Sequence, residues 1–194
     1  MQIRTLKTLF VFAGLLSAAG GSGCGSNPSS TASDSGATGA VLDPTAFGLK
    51  YKIADNGISG WTEDPSGYWT GTNLIDSGID GGNVAYDSRG FRQGMFETLN
   101  GPTPQLCDLR AMDFGDDAHA TAMFAYAKQS NGATVTISPF DIAIAAGETV
   151  LGGVSAFAHF KASYFEVFMT GYADTTLALS DAALFLQAFQ TDTK

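Results

Sequence analysis

Two neighbouring segments with the pattern of β-strands set the tightest limit on the fold of this chain. In residues 105–113 (QLCDLRAMD), strand alternation puts Cys107, Leu109 and Ala111 on one face and the charged Asp108 and Arg110 on the other. Residues 91–99 (FRQGMFETL) precede them and are predicted to form another strand. The joint between the two segments, NGPTP, is rich in turn formers and is typical of a hairpin. The sequence therefore predicts an antiparallel strand pair here.

Predicted strands outnumber predicted helices over the remainder of the chain. Further strands are expected at 133–138, 141–146, 154–161 and 163–171. Helices are expected over a short segment with Leu74, Ile75 and Ile79, over 118–128, and over about 175–190. Because short connections between strands favour antiparallel pairing, the layout predicts an α+β fold, an antiparallel β-sheet packed with two or three helices.

The sequence also predicts the residues at which the helices begin and the role of the aromatic segment before the first strand. The candidate caps are Thr72 for the first helix, Asp113, Asp116 or Asp117 for the second, and Ser180 for the third. In the second helix, His119, Ala122, Met123 and Tyr126 share one face, and Ala120, Phe124 and Ala127 lie beside it. Residues 41–71 are rich in turn formers around Trp61, Tyr68 and Trp69, and we expect them to cover one end of the core.

The N-terminus has the order of an export signal. Arg4 and Lys7 precede an apolar run over residues 8–19, which is too short to span a membrane. Small residues then lead to Cys24, an order that resembles the lipobox of bacterial lipoproteins, although Gly21 stands where that motif usually has Leu. The resemblance implies a signal peptide over 1–23 and lipidation of Cys24, for example with palmitate. The alternative is ordinary cleavage near Ala18, which would leave Cys24 as a free thiol.

A flexible linker separates the cysteine from the folded part. Residues 24–40 consist mostly of Gly, Ser, Ala and Thr, and such a composition cannot offset its own ordering entropy. We therefore expect a tether over 24–40 and a single α+β domain over 41–194. The absence of Asp directly after Cys24 resembles the address of outer-membrane lipoproteins, so the expected location is the cell envelope, at the outer membrane.

The charge of the chain limits its partners. Without Arg4 and Lys7, 8 basic residues remain against 19 acidic ones, a formal charge of −11. Such a surface is a poor match for nucleic acid and for anionic lipid, so attachment to the membrane must come from acyl chains on Cys24. A protein or small-ligand partner is left open.

Few residues carry candidate chemistry. Cys107 lies between Leu and Ala on its strand face, which favours a buried apolar role over a nucleophile. His119 falls in the first turn of a helix, and His159 falls on a sheet face without a partner motif. Asp113, Asp116 and Asp117 can hold a cation, but acids at a helix start also favour the helix dipole without an ion. We expect no catalytic residue, no metal and no cofactor.

The glycine-rich stretch 78–91 (GIDGGNVAYDSRGF) has three interpretations. It lacks the Gly-Lys-Ser/Thr ending of a phosphate loop. A calcium loop from Asp76 to Asp87 would place Asp80 as a ligand, but it has Gly78 and Asp87 where an EF-hand needs an oxygen ligand and a Glu. The preferred interpretation is a tight helix-to-strand connection, with a positive φ at Gly90 just before the strand.

The same stretch resembles a known family. Ile79, Gly81, Gly82, Tyr86 and Gly90-Phe91, together with Asn73-Leu74, match a bacterial exported family catalogued as domain of unknown function 6599. The resemblance covers about residues 61–128, and the chain departs from it at Val84, where the family tends to have an acid. It implies an exported α+β domain and carries no activity.

Three functions follow as hypotheses. The first is a non-enzymatic, membrane-anchored envelope lipoprotein with an accessory or binding domain. The second is a small-ligand or glycan-binding module that uses the aromatic side chains of Trp61, Tyr68 and Trp69. The third, less favoured, is a hydrolase that uses Asp/His pairs.

Overall fold

The computed structural model describes residues 41–73, 83–130, 144–150 and 153–192. By its internal contacts the chain divides into two units, Met1–Val41 and Leu42–Lys194, and the elements below belong to the second. Four helices and six strands lie within the described ranges. They are α1 (Pro44–Tyr51), β1 (Thr62–Gly71), α2 (Asn83–Asp87), β2 (Gln93–Asn100), β3 (Leu106–Asp113), α3 (Asp117–Ser130), β4 (Ile144–Val150), β5 (Gly153–Phe160), β6 (Ser163–Thr170) and α4 (Thr175–Asp192).

The six strands form one antiparallel sheet in the order β1-β2-β3-β6-β5-β4. Two meanders of three sequential strands, β1 to β3 and β4 to β6, meet where β3 pairs with β6. The predicted hairpin is confirmed, since β2 and β3 pair without a break from Gln93 opposite Asp113 to Asn100 opposite Leu106. The predicted α+β fold with an antiparallel sheet is confirmed as well.

One face of the sheet, the first face, packs against α1 and α4. Aromatic rings join the layers, because Tyr51 of α1 and Phe189 of α4 both contact Phe165 of β6, with ring centroids 5.3 Å and 4.9 Å from it. Burial of this apolar surface is the main force that holds the two helices to the sheet. The sheet and α4 supply most of this core: Met95, Leu99, Cys107, Leu109, Ala111, Val167, Met169, Ala178, Ala182, Phe185 and Leu186.

The opposite face, the second face, packs against α3. The buried stripe of α3 consists of Ala120, Met123, Phe124 and Ala127, whereas Ala122 is exposed. These four positions follow the spacing of one helix face, and they enclose Met112, Phe114, Phe157 and Tyr164 of the sheet region together with Tyr86 of α2. The domain thus has three layers, with the sheet between two groups of helices.

The segment 41–71 contains a helix and a strand that the turn-rich sequence concealed. Asp43 caps α1 by accepting the N–H of Ala46 at 2.9 Å, and Pro44 occupies the first helical position, where it needs no N–H partner. β1 has a register shift between Glu63 and Tyr68, so Pro65 falls in a bulge rather than in a regular pair.

The start of α4 corrects one prediction. α4 begins at Thr175, and Asp174 caps it: the side-chain Oδ1 of Asp174 accepts the N–H of Thr176 at 2.8 Å, and its backbone carbonyl accepts that of Ala178 at 3.1 Å. Ser180 lies inside the helix and is exposed, so its prediction as a cap was wrong. Thr175, Thr176 and Leu177 are exposed, and the buried positions of α4 begin at Ala178.

Gly90 has the predicted positive φ, +83°, at the connection between α2 and β2. Several other predictions lie outside the described residues. They are the signal peptide and Cys24, the tether, the helix with Leu74, Ile75 and Ile79, the calcium candidates Asp76 and Asp80, the roles of Gly81 and Gly82, and the strand at 133–138.

Candidate functional site

The acidic residues at the start of α3 have separate partners. Asp116 is the cap of α3, since its Oδ1 accepts the N–H of His119 at 2.8 Å. Asp113 ends β3 and accepts hydrogen bonds from the Gln93 amide at 3.1 Å and from the Gly115 N–H at 2.8 Å. Among the described residues no group of three or more His, Cys, Asp or Glu side chains lies close enough to hold a metal ion.

His119 serves the local structure of the helix start. Its Nδ1 lies 2.7 Å from Oδ2 of Asp116, and both side chains are about half exposed, at 52% and 56%. The two hydrogen bonds between these residues lower the pKa of Asp116 and close the first turn of α3. His119, predicted in the first turn of a helix, thus lies at the surface and bonds to the cap of that helix.

His159 lies on the second face of the sheet, beneath α3. Its ring stacks at an angle on Phe124, with centroids 5.0 Å apart, and burial lowers its pKa. Nδ1 lies 4.0 Å from Oδ1 of Asp117, too far for a hydrogen bond. Each histidine thus has an aspartate neighbour, but the contacts of His159 are mainly those of a packed aromatic ring.

Cys107 is fully buried between the sheet and α4. Its exposed fraction is 0%, and burial raises its thiol pKa well above the usual range. A thiol that is both enclosed and protonated is a poor nucleophile. The predicted buried apolar role of Cys107 is confirmed.

The three aromatic residues proposed as a binding platform point to different places. Trp61 is 3% exposed, contacts Phe185 of α4 at 5.1 Å, and occupies the space beside Gly101. The hydroxyl of Tyr68 is buried on the first face. Trp69, the next residue, projects to the second face and is 50% exposed. The prediction of a platform formed by all three side chains was therefore wrong. Of the three, only Trp69 is accessible.

Trp69 belongs to a row of side chains that crosses the second face. Strand register places Trp69, Phe96, Arg110 and Glu166 side by side on β1, β2, β3 and β6, and we call them the cross-strand row. The indole of Trp69 stacks on Phe96, with centroids 5.0 Å apart and an interplanar angle of 28°. The guanidinium of Arg110 lies 5.8 Å from the centre of the same ring. Phe96 thus supports a rigid, half-exposed indole on one side and contacts a cation on the other.

The charged end of the row is part of a hydrogen-bond network. Arg110 donates to Oε2 of Glu166 at 2.7 Å, and the Tyr86 hydroxyl donates to the same oxygen at 3.4 Å. Tyr164 donates to Oε1 of Glu166 at 3.5 Å. Burial has the largest single effect on the pKa of Arg110 and lowers it, but the charge and hydrogen bond of Glu166, together with Tyr86 and Asp108, outweigh burial and raise the pKa. Burial raises the pKa values of both tyrosines, so they are donors at neutral pH.

Asp108 and Thr98 lie beside the row, one pair further along β2 and β3. The Thr98 hydroxyl donates to Oδ1 of Asp108 at 2.8 Å. Burial raises the pKa of Asp108, although the Thr98 hydrogen bond and Arg110 oppose this. An aromatic platform with carboxylate, guanidinium and hydroxyl groups next to it can stack on a ligand ring and bond to its polar edge. The residues of this surface come from four strands, so their spacing in the sequence does not indicate that they lie together.

A buried titratable side chain, Glu97, lies within the first face. Glu97 is 1% exposed, and burial raises its pKa to about 7. Its Oε2 accepts the N–H of Ile53 at 2.9 Å. A Glu in a predicted strand does not by itself indicate a buried carboxyl. The alternation around Met95, Glu97 and Leu99 was the available sign, since it puts Glu97 on the apolar face.

Comparison with known proteins adds little to this description. No family model and no curated protein matches the chain, so membership of family 6599 stays a prediction. Within the described ranges, no helix has both the length and the apolar character needed to cross a bilayer. The fold is similar to the crystal structure of the extracellular domain of PknH from Mycobacterium tuberculosis, at 11% identity and a TM-score of 0.47, over 78% of this chain and 93% of that one. At this level the likeness carries no conclusion about ligand or activity.

Proposed function

We propose that this chain is a lipoprotein of the bacterial cell envelope, anchored at the outer membrane through acyl chains on Cys24. Residues 41–194 would then be a non-enzymatic accessory or binding domain. The contrast between the two cysteines supports the anchor most directly. Cys107 is enclosed in the core with its thiol protonated, whereas Cys24 follows an apolar run and precedes a Gly/Ser-rich linker. Two acyl chains give stable membrane attachment where one gives only reversible binding.

Metabolic labelling tests the anchor. Cells that express the chain are grown with an alkyne analogue of palmitate, and label and membrane fraction are measured for three proteins. The unchanged chain and Cys107→Ala should both carry label and sediment with membranes. Cys24→Ala should lose the label and move to the soluble fraction. Label retained by Cys24→Ala, or absent from the unchanged chain, would refute the anchor.

The non-enzymatic part of the proposal rests on the contacts of the titratable side chains. His119 is bonded to the cap of its own helix, His159 is packed on Phe124, and Cys107 is buried. Acid–base catalysis needs such a group placed against a substrate. A broad hydrolase screen should therefore give no turnover. Turnover that His119→Ala or His159→Ala abolishes without a change in melting temperature would instead support the hydrolase hypothesis.

One observation favours a second candidate, a glycan-binding module. The half-exposed Trp69 is held flat on Phe96, and Asp108 and Arg110 lie on the same sheet face. The apolar face of a β-linked pyranose stacks on such an indole, while its hydroxyls bond to carboxylate and guanidinium groups.

Affinity electrophoresis with a soluble β-1,3-glucan and calorimetry with chitin hexasaccharide test this candidate. Binding should be lost in Trp69→Ala and retained in Leu184→Ala, a matched change of a side chain that is 46% exposed on α4. If the unchanged chain binds neither probe, or if both variants bind equally, the glycan candidate is rejected while the anchor proposal stands.

A further inference from the structure

The carboxyl group of Glu97 is buried with only part of its hydrogen-bonding capacity satisfied. Oε2 accepts the N–H of Ile53, but Oε1 has no hydrogen-bond partner among the described residues. When buried at this position, an ionised carboxylate loses most of its favourable hydration and regains only one hydrogen bond. A protonated carboxyl loses much less hydration free energy on burial. The site therefore favours the neutral form of Glu97.

The charged and titratable groups around Glu97 do not reverse this preference. Lys52 is the cation that acts on it, but the Lys52 ammonium is bonded to Glu63 of β1. Glu63 has the same charge as Glu97 and favours its protonation. Tyr68 is directly opposite on β1, and burial raises the pKa of its hydroxyl; on β3, burial likewise keeps the Cys107 thiol neutral.

Glu97 also connects the sheet to the first helix. We call residues 44–53, which comprise α1 and the two residues after it, the α1 strap. The strap is held at Tyr51, whose hydroxyl lies 3.3 Å from the Ser163 hydroxyl, and at Ile53 through Glu97. A helix of 8 residues is not stable in isolation, so the order of α1 depends on these attachments together with the burial of Tyr51 against Phe165 and Phe189.

The strap lies between Glu97 and solvent. On the first face, register places Tyr68 of β1 on one side of Glu97 and Leu109 of β3 on the other, and Glu97 is 1% exposed. The backbone N–H of Ile53, in the strap, is bonded to the carboxyl. Movement of the strap away from the sheet would therefore break this bond and expose Glu97 to water.

We propose that the α1 strap is a pH-responsive element, which stays docked on the sheet while Glu97 is protonated and opens when Glu97 ionises. The direction follows from the difference between closed and open states. Glu97 in the closed state has a pKa of about 7, and hydration in the open state returns it towards 4.5. The closed state therefore holds an extra proton between these values, and the open state gains population as the pH rises from about 4.5 to about 7, above which the ratio of the two states levels off.

Hydrogen exchange of the purified full chain tests the proposal. Exchange of peptides within 44–53 is compared between the unchanged chain and Glu97→Gln at pH 3.5, below both pKa values of Glu97, and at pH 8.5, above both. Comparison at equal pH removes the intrinsic pH dependence of exchange. The two proteins should exchange alike at pH 3.5. At pH 8.5 the strap of the unchanged chain should exchange between about 10-fold and 300-fold faster than that of the variant, the upper value being set by the full difference between the two pKa values.

Peptides from α3 (Asp117–Ser130) are the internal control and should not differ between the two proteins. Equal exchange of the strap at pH 8.5, or a difference of the same size in α3, would overturn the proposal. A carbon-13 titration of the Glu97 carboxyl in the unchanged chain gives a test that needs no variant. A midpoint near 7 supports the proposal, and a midpoint near 4.5 refutes it.

Discussion

Arg110 on β3 and Glu166 on β6 form a hydrogen-bonded ion pair of 2.7 Å at the seam between the two meanders of the sheet. Their side chains are 25% and 14% exposed, so the pair is partly desolvated. Tyr86 and Tyr164 also donate to Glu166, which leaves its charge well compensated. In such a pair, the loss of one partner is more costly than the loss of both.

This asymmetry predicts the result of a double-mutant cycle. Arg110→Met and Glu166→Leu should each lower the free energy of unfolding by about 2–4 kcal/mol, because each leaves a charge without its partner. The double variant should lose less than the sum of the two. Urea denaturation of the four proteins measures the coupling. Additive losses would mean that the ion pair does not stabilise the seam.

The pH dependence of overall stability should follow Glu97. Its folded-state pKa is raised to about 7, above the value of the unfolded chain, so the folded state binds the extra proton and is most stable while Glu97 is neutral. The free energy of unfolding should therefore fall by up to about 3 kcal/mol between pH 4.5 and pH 7 and then level off. Glu97→Gln should remove this slope, as measured by thermal melts. An unchanged slope in the variant would assign it to other groups.

Two glycines with positive φ form a matched pair for backbone strain. Gly60 (φ +85°) has open space where a Cβ would stand, whereas at Gly90 (φ +83°) that atom would lie 3.2 Å from Cδ2 of His119. Gly60→Val should cost about 1–2 kcal/mol from strain alone, and Gly90→Val about 2–3 kcal/mol. Adding His119→Ala to Gly90→Val should recover part of the difference. Chemical denaturation gives the values, and equal losses at both glycines would exclude a role for the His119 contact.

The cap of α4 gives a further matched comparison. Asp174→Ala removes the side-chain acceptor of the Thr176 N–H and should cost about 1 kcal/mol. Ser180→Ala, inside the same helix, should be neutral or stabilise by a few tenths of a kcal/mol, because Ala has the higher helix propensity. Melting temperatures measured side by side distinguish the two. A larger loss for Ser180→Ala would restore Ser180 as the important residue of this helix.

The sequence predicted elements whose pattern is local and missed relationships that depend on register. The β2–β3 hairpin was predictable because Cys107, Leu109 and Ala111 alternate and a turn-rich joint precedes them. α1 was concealed because it has 8 residues and is stabilised by tertiary contacts at Tyr51 rather than by its own pattern. The cross-strand row was beyond prediction for another reason, since pairing across the sheet brings Trp69 and Glu166 into line from strands far apart in the chain.

The β3–β6 pairing also bears on how fast the domain folds. Arg110 and Glu166 are 56 positions apart in the chain, whereas each meander is built from strands that follow one another. The β2–β3 hairpin and the β4–β6 meander can form through short loops, but joining β3 to β6 closes a long loop before any contact across the seam is gained. Because high contact order slows folding, the meeting of β3 and β6 is expected to be the slow step. Until that step is complete, both strands would be free edges and would be the parts of the nascent chain most open to pairing with another molecule.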